Sequence, residues 1–60
     1  MNEEALNDSF NLFASNGYNG DLESYKKLIS SNPEALKDSY SLFKNNGYDK
    51  SIDDFNLQIA

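Results

Sequence analysis

The chain has 60 residues and a formal net charge of -5, and it contains no cysteine, histidine or arginine. A chain of this length forms one small domain that neither a disulfide nor a histidine-containing zinc site can stabilise, and triads that pair serine or cysteine with histidine are excluded. Five lysines scattered among ten carboxylates make nucleic acid and anionic membrane surfaces poor partners, so we expect neither.

The first predicted helix covers residues 3–15. Apolar residues recur along it with helical spacing as far as Phe13 and form one face. Asn2 stands where an N-cap belongs. Gly17 suits the left-handed position of a Schellman motif, which would place Tyr18 against Phe13 at the end of the helix.

A second, shorter helix is predicted over 21–30. Leu22, Tyr25 and Ile29 share one face of it, and Asp21 begins a loose capping motif. Valine and threonine are absent from the whole chain, so the β-branched residues that strands favour are scarce. We therefore expect helices and no strands.

The second half of the chain repeats the first. A shift of thirty residues brings twelve residues onto identical ones, which defines two units, 2–30 and 32–60, and predicts further helices over 33–45 and 51–59. Repeats of this length are typical of paired helices that pack against neighbouring units. The matched pairs include Asn2 with Asn32, Phe13 with Phe43, Gly17 with Gly47 and Tyr18 with Tyr48.

Two further signals support the helices of the second unit. Pro33 follows Asn32 at the first helical position, where the missing N–H is harmless. Ser51 and Asp54 have the spacing of a capping box with an acidic residue. The predicted fold is all-α, with two tandem helix-turn-helix hairpins, and hence four short helices, forming a small bundle or a solenoid fragment within a single domain, 1–60.

The expected core and interface follow from the same pattern. Phe13 and Phe43 each belong to a helical stripe and to a cap, so we expect them to be the most buried pair. Leu57 lies off the apolar stripe of the last helix, where the first unit has Lys27. Helical arrays normally need about three units, so Leu57 and Ile59 are predicted to form a surface that binds a second chain as a homodimer.

Acidic residues suggest other chemistry that the spacing does not support. A calcium loop that begins at Asp49 would have an aspartate where glycine is required and Ala60 where glutamate is required. Glu4 and Asp8 share a helix face that should be solvated, and a chain this short has little room for a catalytic pocket. We predict no enzymatic activity, no metal site and no cofactor.

Two family resemblances carry the functional expectation. The segment 12–18, Leu-Phe-Ala-Ser-Asn-Gly-Tyr, resembles the Met-Gly-Phe/Tyr loop of ubiquitin-associated domains, with Asn16 in place of the methionine. Over the whole chain, Asp-Ser-Phe/Tyr-x-Leu-Phe-x-x-Asn-Gly-Tyr followed by Asn-Pro-Glu-Ala-Leu resembles short helical repeats in virion-associated proteins of tailed marine bacteriophages. The second resemblance implies a structural or protein-interaction module in a virion or a host cytoplasm; the alternative is a small ubiquitin-associated-like binding domain.

Overall fold

Four α-helices and no strands make up residues 2–59, the part of the chain that the computed structural model describes. The all-α prediction is confirmed, and each predicted helix end lies within one residue of the observed one. The helices are α1 (Glu3–Ser15), α2 (Leu22–Ser31), α3 (Pro33–Asn45) and α4 (Ile52–Ile59).

Each helix begins at a side chain that caps its free N–H groups. The Asn2 side chain accepts from the N–H of Ala5 at 3.2 Å, and Asn32 makes the same contact one unit later with Pro33 at the first position of α3. Asp21 and Ser51 cap α2 and α4 in the same manner, with bonds of 2.8 and 3.2 Å to the N–H three residues on. The predicted N-caps are confirmed, and each is expected to stabilise its helix by about 1 kcal/mol.

The helix ends of α1 and α3 are Schellman motifs. Gly17 and Gly47 have φ angles of +108° and +111°, a region that residues with a Cβ rarely adopt. The N–H of Tyr18 donates to the Phe13 carbonyl at 3.4 Å, and the equivalent bond in the second unit is 3.2 Å. The prediction for both glycines is confirmed, and each motif turns a tyrosine back onto the preceding phenylalanine.

The two units repeat one aromatic cluster almost exactly. Four rings form the cluster in each unit: Phe10, Phe13, Tyr18 and Tyr25 in the first, and Tyr40, Phe43, Tyr48 and Phe55 in the second. The ring centroids of Tyr18 and Phe13 are 5.2 Å apart and those of Tyr48 and Phe43 are 5.1 Å apart. The distance from Tyr18 to Tyr25 is 6.1 Å and its equivalent is 5.9 Å. The repeat in sequence is therefore a repeat in packing.

The units face each other and do not stack in a row. Helices α1 and α3 pack together at the centre, α2 packs against α3, and α4 packs against α1. Exchanging the two units leaves this set of contacts unchanged, which is the property of a two-fold arrangement. An open array would leave the outer face of each unit free, so the chain forms a small bundle and not a solenoid fragment.

The centre of the core corrects one expectation. Tyr25 and Phe55 are 0% and 1% exposed, whereas Phe13 and Phe43 are only partly buried. Phe13 lies near the end of α1 and its ring pairs with two others of its cluster, whereas the Tyr25 ring pairs with all three. The prediction that the two phenylalanines are the most buried pair is therefore wrong.

The end of α4 corrects the expectation that Ile59 forms an interface with a second chain. Ile59 is 1% exposed and belongs to the core cluster, so it is not part of a surface that a second chain could contact. The reason is that α4 packs on α1 as well as on α3, which covers the end of its apolar stripe. Leu57 lies outside that stripe as predicted, with 74% of its surface exposed.

Candidate functional site

A groove of about 540 Å³ lies between the C-terminal halves of α1 and α3. We call it the α1–α3 groove. Its lining comes from α1, from Phe43 of α3 and from the two residues Asn46 and Tyr48 that follow α3; the α1 residues are Asp8, Asn11, Leu12 and Ser15. The lining of the groove therefore comes from both units.

Local structure explains why these side chains meet. Leu12 lies at the edge of the apolar stripe of α1, so it is only partly covered by the core. The Schellman turn at Gly47 places Tyr48 beside Phe43, with their ring centroids 5.1 Å apart. Leu12, Phe43 and Tyr48 are partly exposed and form an apolar floor, while Asp8 is exposed at the rim.

The Tyr48 hydroxyl is buried in a region that offers it no hydrogen-bond partner among the described residues. Burial raises the pKa of this phenol above its usual value of 10.0, and the nearby carboxylate of Asp54 raises it further. The hydroxyl is thus a neutral group at physiological pH, and an unpaired polar atom of this kind reduces stability. It is shielded by the protein, so it does not act as a donor on the groove surface.

Among the residues that line the groove, Asp8 alone carries a carboxylate. Glu4 and Asp8, the acid pair singled out from the sequence, are both exposed, and so are their counterparts in the second unit, Glu34 and Asp38. No group of three or more carboxylates that could hold a metal ion occurs within residues 2–59. The arrangement can accept an apolar side chain on its floor and make hydrogen bonds through the carboxylate and amides of its rim.

The structure brings together some of the predicted site residues and separates others. Phe43 and Tyr48 line the α1–α3 groove, whereas Phe13 and Tyr18 occupy the equivalent end of the first unit. Leu57 lies on α4, outside the groove.

Sequence reasoning missed five groove residues: Asp8, Asn11, Leu12, Ser15 and Asn46. The available signal was the extra leucine that widens the stripe of α1 beyond what its partner helix covers. It repeats as Leu42 in α3, which is also partly exposed.

No protein-family model matches the chain, and neither a curated protein nor a solved structure matches it significantly. Among the described residues, no helix has the length and apolar character that crossing a membrane requires.

Proposed function

We propose that the chain is a non-enzymatic protein-interaction module that receives an apolar side chain of a partner protein in the α1–α3 groove. The observation that carries the proposal is the groove floor, where Leu12 and Phe43 stay partly exposed although the core beside them is closed. Partly exposed apolar groups in a concave site, surrounded by polar groups, are typical of protein-recognition surfaces.

Charge indicates the chemistry of the partner. The chain has a net charge of -5, and the carboxylate of Asp8 lies at the groove rim. Complementary charge favours association and suppresses wrong partners. The partner segment should therefore present an apolar residue flanked by lysine or arginine.

The resemblance of the repeat to helical units of bacteriophage virion-associated proteins supports a structural role for this module in a larger assembly. The ubiquitin-associated alternative would use the surface around Gly17 and Tyr18. Against it, the Tyr18 ring packs on Phe13 and Tyr25 at 5.2 and 6.1 Å between centroids. The residues after Gly47 also supply Phe55 to the core, whereas a three-helix domain would leave them unused.

Self-association of the chain stays a prediction, with fewer observations in its support than the sequence suggested. Of the two residues proposed for the dimer surface, only Leu57 is exposed. The two units also cover each other, so the need of an open array for neighbours does not apply. Sedimentation over a hundredfold dilution tests the dimer, and a concentration-independent monomer would refute it.

Peptide selection tests the interaction module. Peptides selected from a random library on the immobilised chain should bind Leu12→Lys at least about tenfold more weakly, the equivalent of 1.4 kcal/mol. Leu57→Lys is the matched control, because it makes the same change on an exposed leucine outside the groove, and it should leave affinity unchanged. Circular dichroism checks that both variants are folded.

Two results would contradict the proposal. Peptides whose affinity ignores the Leu12 substitution would place binding elsewhere, and a library that yields no specific peptide would remove the groove as a recognition site. Titration of the isotope-labelled chain with ubiquitin separates the alternative, since NMR shifts centred on Gly17 and Tyr18 would support the ubiquitin-associated-like function instead.

A further inference from the structure

A backbone hydrogen bond joins the two ends of the described chain, and an equivalent bond lies at the corner between α2 and α3, where the first unit leads into the second. At that corner the N–H of Asn32 donates to the carbonyl of Leu28, at 2.9 Å. At the ends, the N–H of Asn2 donates to the carbonyl of Gln58, at 2.6 Å. A shift of thirty residues maps the donor Asn2 onto the donor Asn32 and the acceptor Leu28 onto the acceptor Gln58.

The spacing of these bonds is that of an α-helix. Asn32 follows Leu28 by four residues, the spacing of a helical hydrogen bond. If residue 60 were joined directly to residue 1, Asn2 would follow Gln58 by four residues as well. The contact between the chain ends therefore has the geometry of the covalent corner without its covalent bond.

Buried apolar residues of both units belong to one core cluster, and we call the repeated surface that each unit contributes to it the inter-unit face. Ile29 is 4% exposed and its counterpart Ile59 is 1% exposed, while Ala5 and Ala35 are 7% and 6% exposed. Since α4 packs on α1 as α2 packs on α3, each unit uses the same surface as its partner. Such a surface is self-complementary.

We propose that the inter-unit face is a binding site for a copy of the same thirty-residue unit, whichever covalent link supplies that copy. In the chain as it stands the copy comes through the bond between Ser30 and Ser31. The same site accepts it through a bond between residues 60 and 1, or from a second molecule of this chain that exchanges its unit.

The corner at Pro33 determines which copy is used. Pro33 is the only proline in the sequence, and it follows Asn32, whose backbone is extended at φ -125° and ψ 103°. Proline disfavours helical geometry in the preceding residue and interrupts the hydrogen-bond ladder. The chain must therefore turn back here, which holds the second unit against the first. In the first unit Glu3 stands at the position of Pro33.

A circular permutant of the full chain tests the first part of the proposal. Its order is 31–60 followed directly by 1–30, with no linker, so that the new break falls between Ser30 and Ser31 and residues 60 and 1 become joined. We expect a monomer with the same far-ultraviolet circular dichroism and a melting temperature within about 5 °C of the parent. A permutant without residues 60 and 1 controls for spacing and should melt lower, because Asn2 no longer follows Gln58 at helical spacing. An unfolded direct permutant would overturn the proposal.

Straightening the corner tests supply from a second chain. The double variant Asn32→Ala, Pro33→Ala removes the residues that separate α2 from α3. The two helices can then continue as one, which moves the second unit away from the first. We expect a dimer with twice the parent mass by light scattering at millimolar concentration and parent-like helical content. Asn2→Ala combined with Glu3→Ala changes the equivalent positions of the first unit, which are not at the corner between α2 and α3, and this variant should stay monomeric. A monomeric straightened variant would overturn exchange between chains.

Discussion

The two aromatic clusters differ at two positions, Phe10 against Tyr40 and Tyr25 against Phe55, and the second difference leads to a sharp prediction. Tyr25 donates a hydrogen bond to the Ser9 hydroxyl at 3.0 Å, and Ser9 donates to the carbonyl of Leu6 at 2.9 Å. In the second unit Phe55 takes the place of Tyr25, and Ser39, which is 1% exposed, has a hydroxyl oxygen with no partner. Phe55→Tyr should therefore supply the missing partner and stabilise the protein.

The structure sets the expected magnitude. The Phe55 ring lies 5.7 Å from the Tyr40 ring, and the Tyr25 ring lies 5.6 Å from the Phe10 ring, so the added hydroxyl should point toward Ser39 as its counterpart does toward Ser9. A hydrogen bond of this kind contributes about 0.5–1.5 kcal/mol net. We expect a gain of about 1 kcal/mol, which raises the melting temperature of a 60-residue domain by about 4–8 °C.

Urea unfolding followed by circular dichroism measures the effect, with three matched variants. Tyr25→Phe should lose about 1 kcal/mol, and Ser9→Ala about 1–3 kcal/mol because it leaves a buried tyrosine hydroxyl unpaired. Ser39→Ala should be neutral or stabilising, because it removes an unpaired hydroxyl and introduces the best helix former. If Phe55→Tyr destabilises the chain, or if the two serine variants behave alike, the hydroxyl difference between the clusters has been misread.

Other predictions concern the helix ends, the core and acid. Gly17→Ala and Gly47→Ala should each destabilise by about 1 kcal/mol, since a Cβ is disfavoured at their positive φ angles; thermal melts measure this. Phe55→Ala should cost about 3–5 kcal/mol, and Phe43→Ala, whose ring is partly exposed, should cost less; urea midpoints give the order. The pKa of Asp21 lies below 3.8 because its carboxylate accepts a backbone N–H. Its contribution is therefore present above the unfolded-state pKa and is lost as the pH falls through the lower folded-state pKa; Asp21→Asn should weaken the acid dependence of the melting temperature below about pH 4.

Each of these has a result that contradicts it. Unchanged melting for either glycine variant would mean that the helix end adapts without strain. A larger loss of unfolding free energy for Phe43→Ala than for Phe55→Ala would mean that the centre of the core lies at the helix ends. An acid profile unaffected by Asp21→Asn would show that the cap bond persists when the carboxyl is protonated.

Local features of the fold could be predicted because their causes are local. The cap at Asn2 and the left-handed turn at Gly17 depend on side chains within a few residues, and both are confirmed. A helical stripe, in contrast, identifies the buried face of a helix and not its neighbour. For this reason the sequence could not distinguish two units that face each other from units in a row, and Ile59 was expected on the surface when it lies in the core.

The error over the core has a related cause. Phe13 was expected at the centre because it belongs to two local motifs, but burial depends on how many other elements surround a side chain. Tyr25 comes from a shorter helix, yet it contacts three rings of its unit. The groove was missed for the same reason, since its floor combines Leu12 with residues thirty or more positions away.

The two corners of the bundle are alike in geometry and unlike in connectivity, which gives them different places in folding. Forming the bond at Asn32 closes a few residues of chain, whereas forming the bond between Asn2 and Gln58 closes almost all of it, and the entropy lost on closing a loop grows with its length. The carbonyl of Gln58, which accepts this long-range bond, belongs to α4, the shortest helix. The amide of Asn32 should therefore exchange its hydrogen more slowly than that of Asn2, and unfolding should begin where α4 leaves α1.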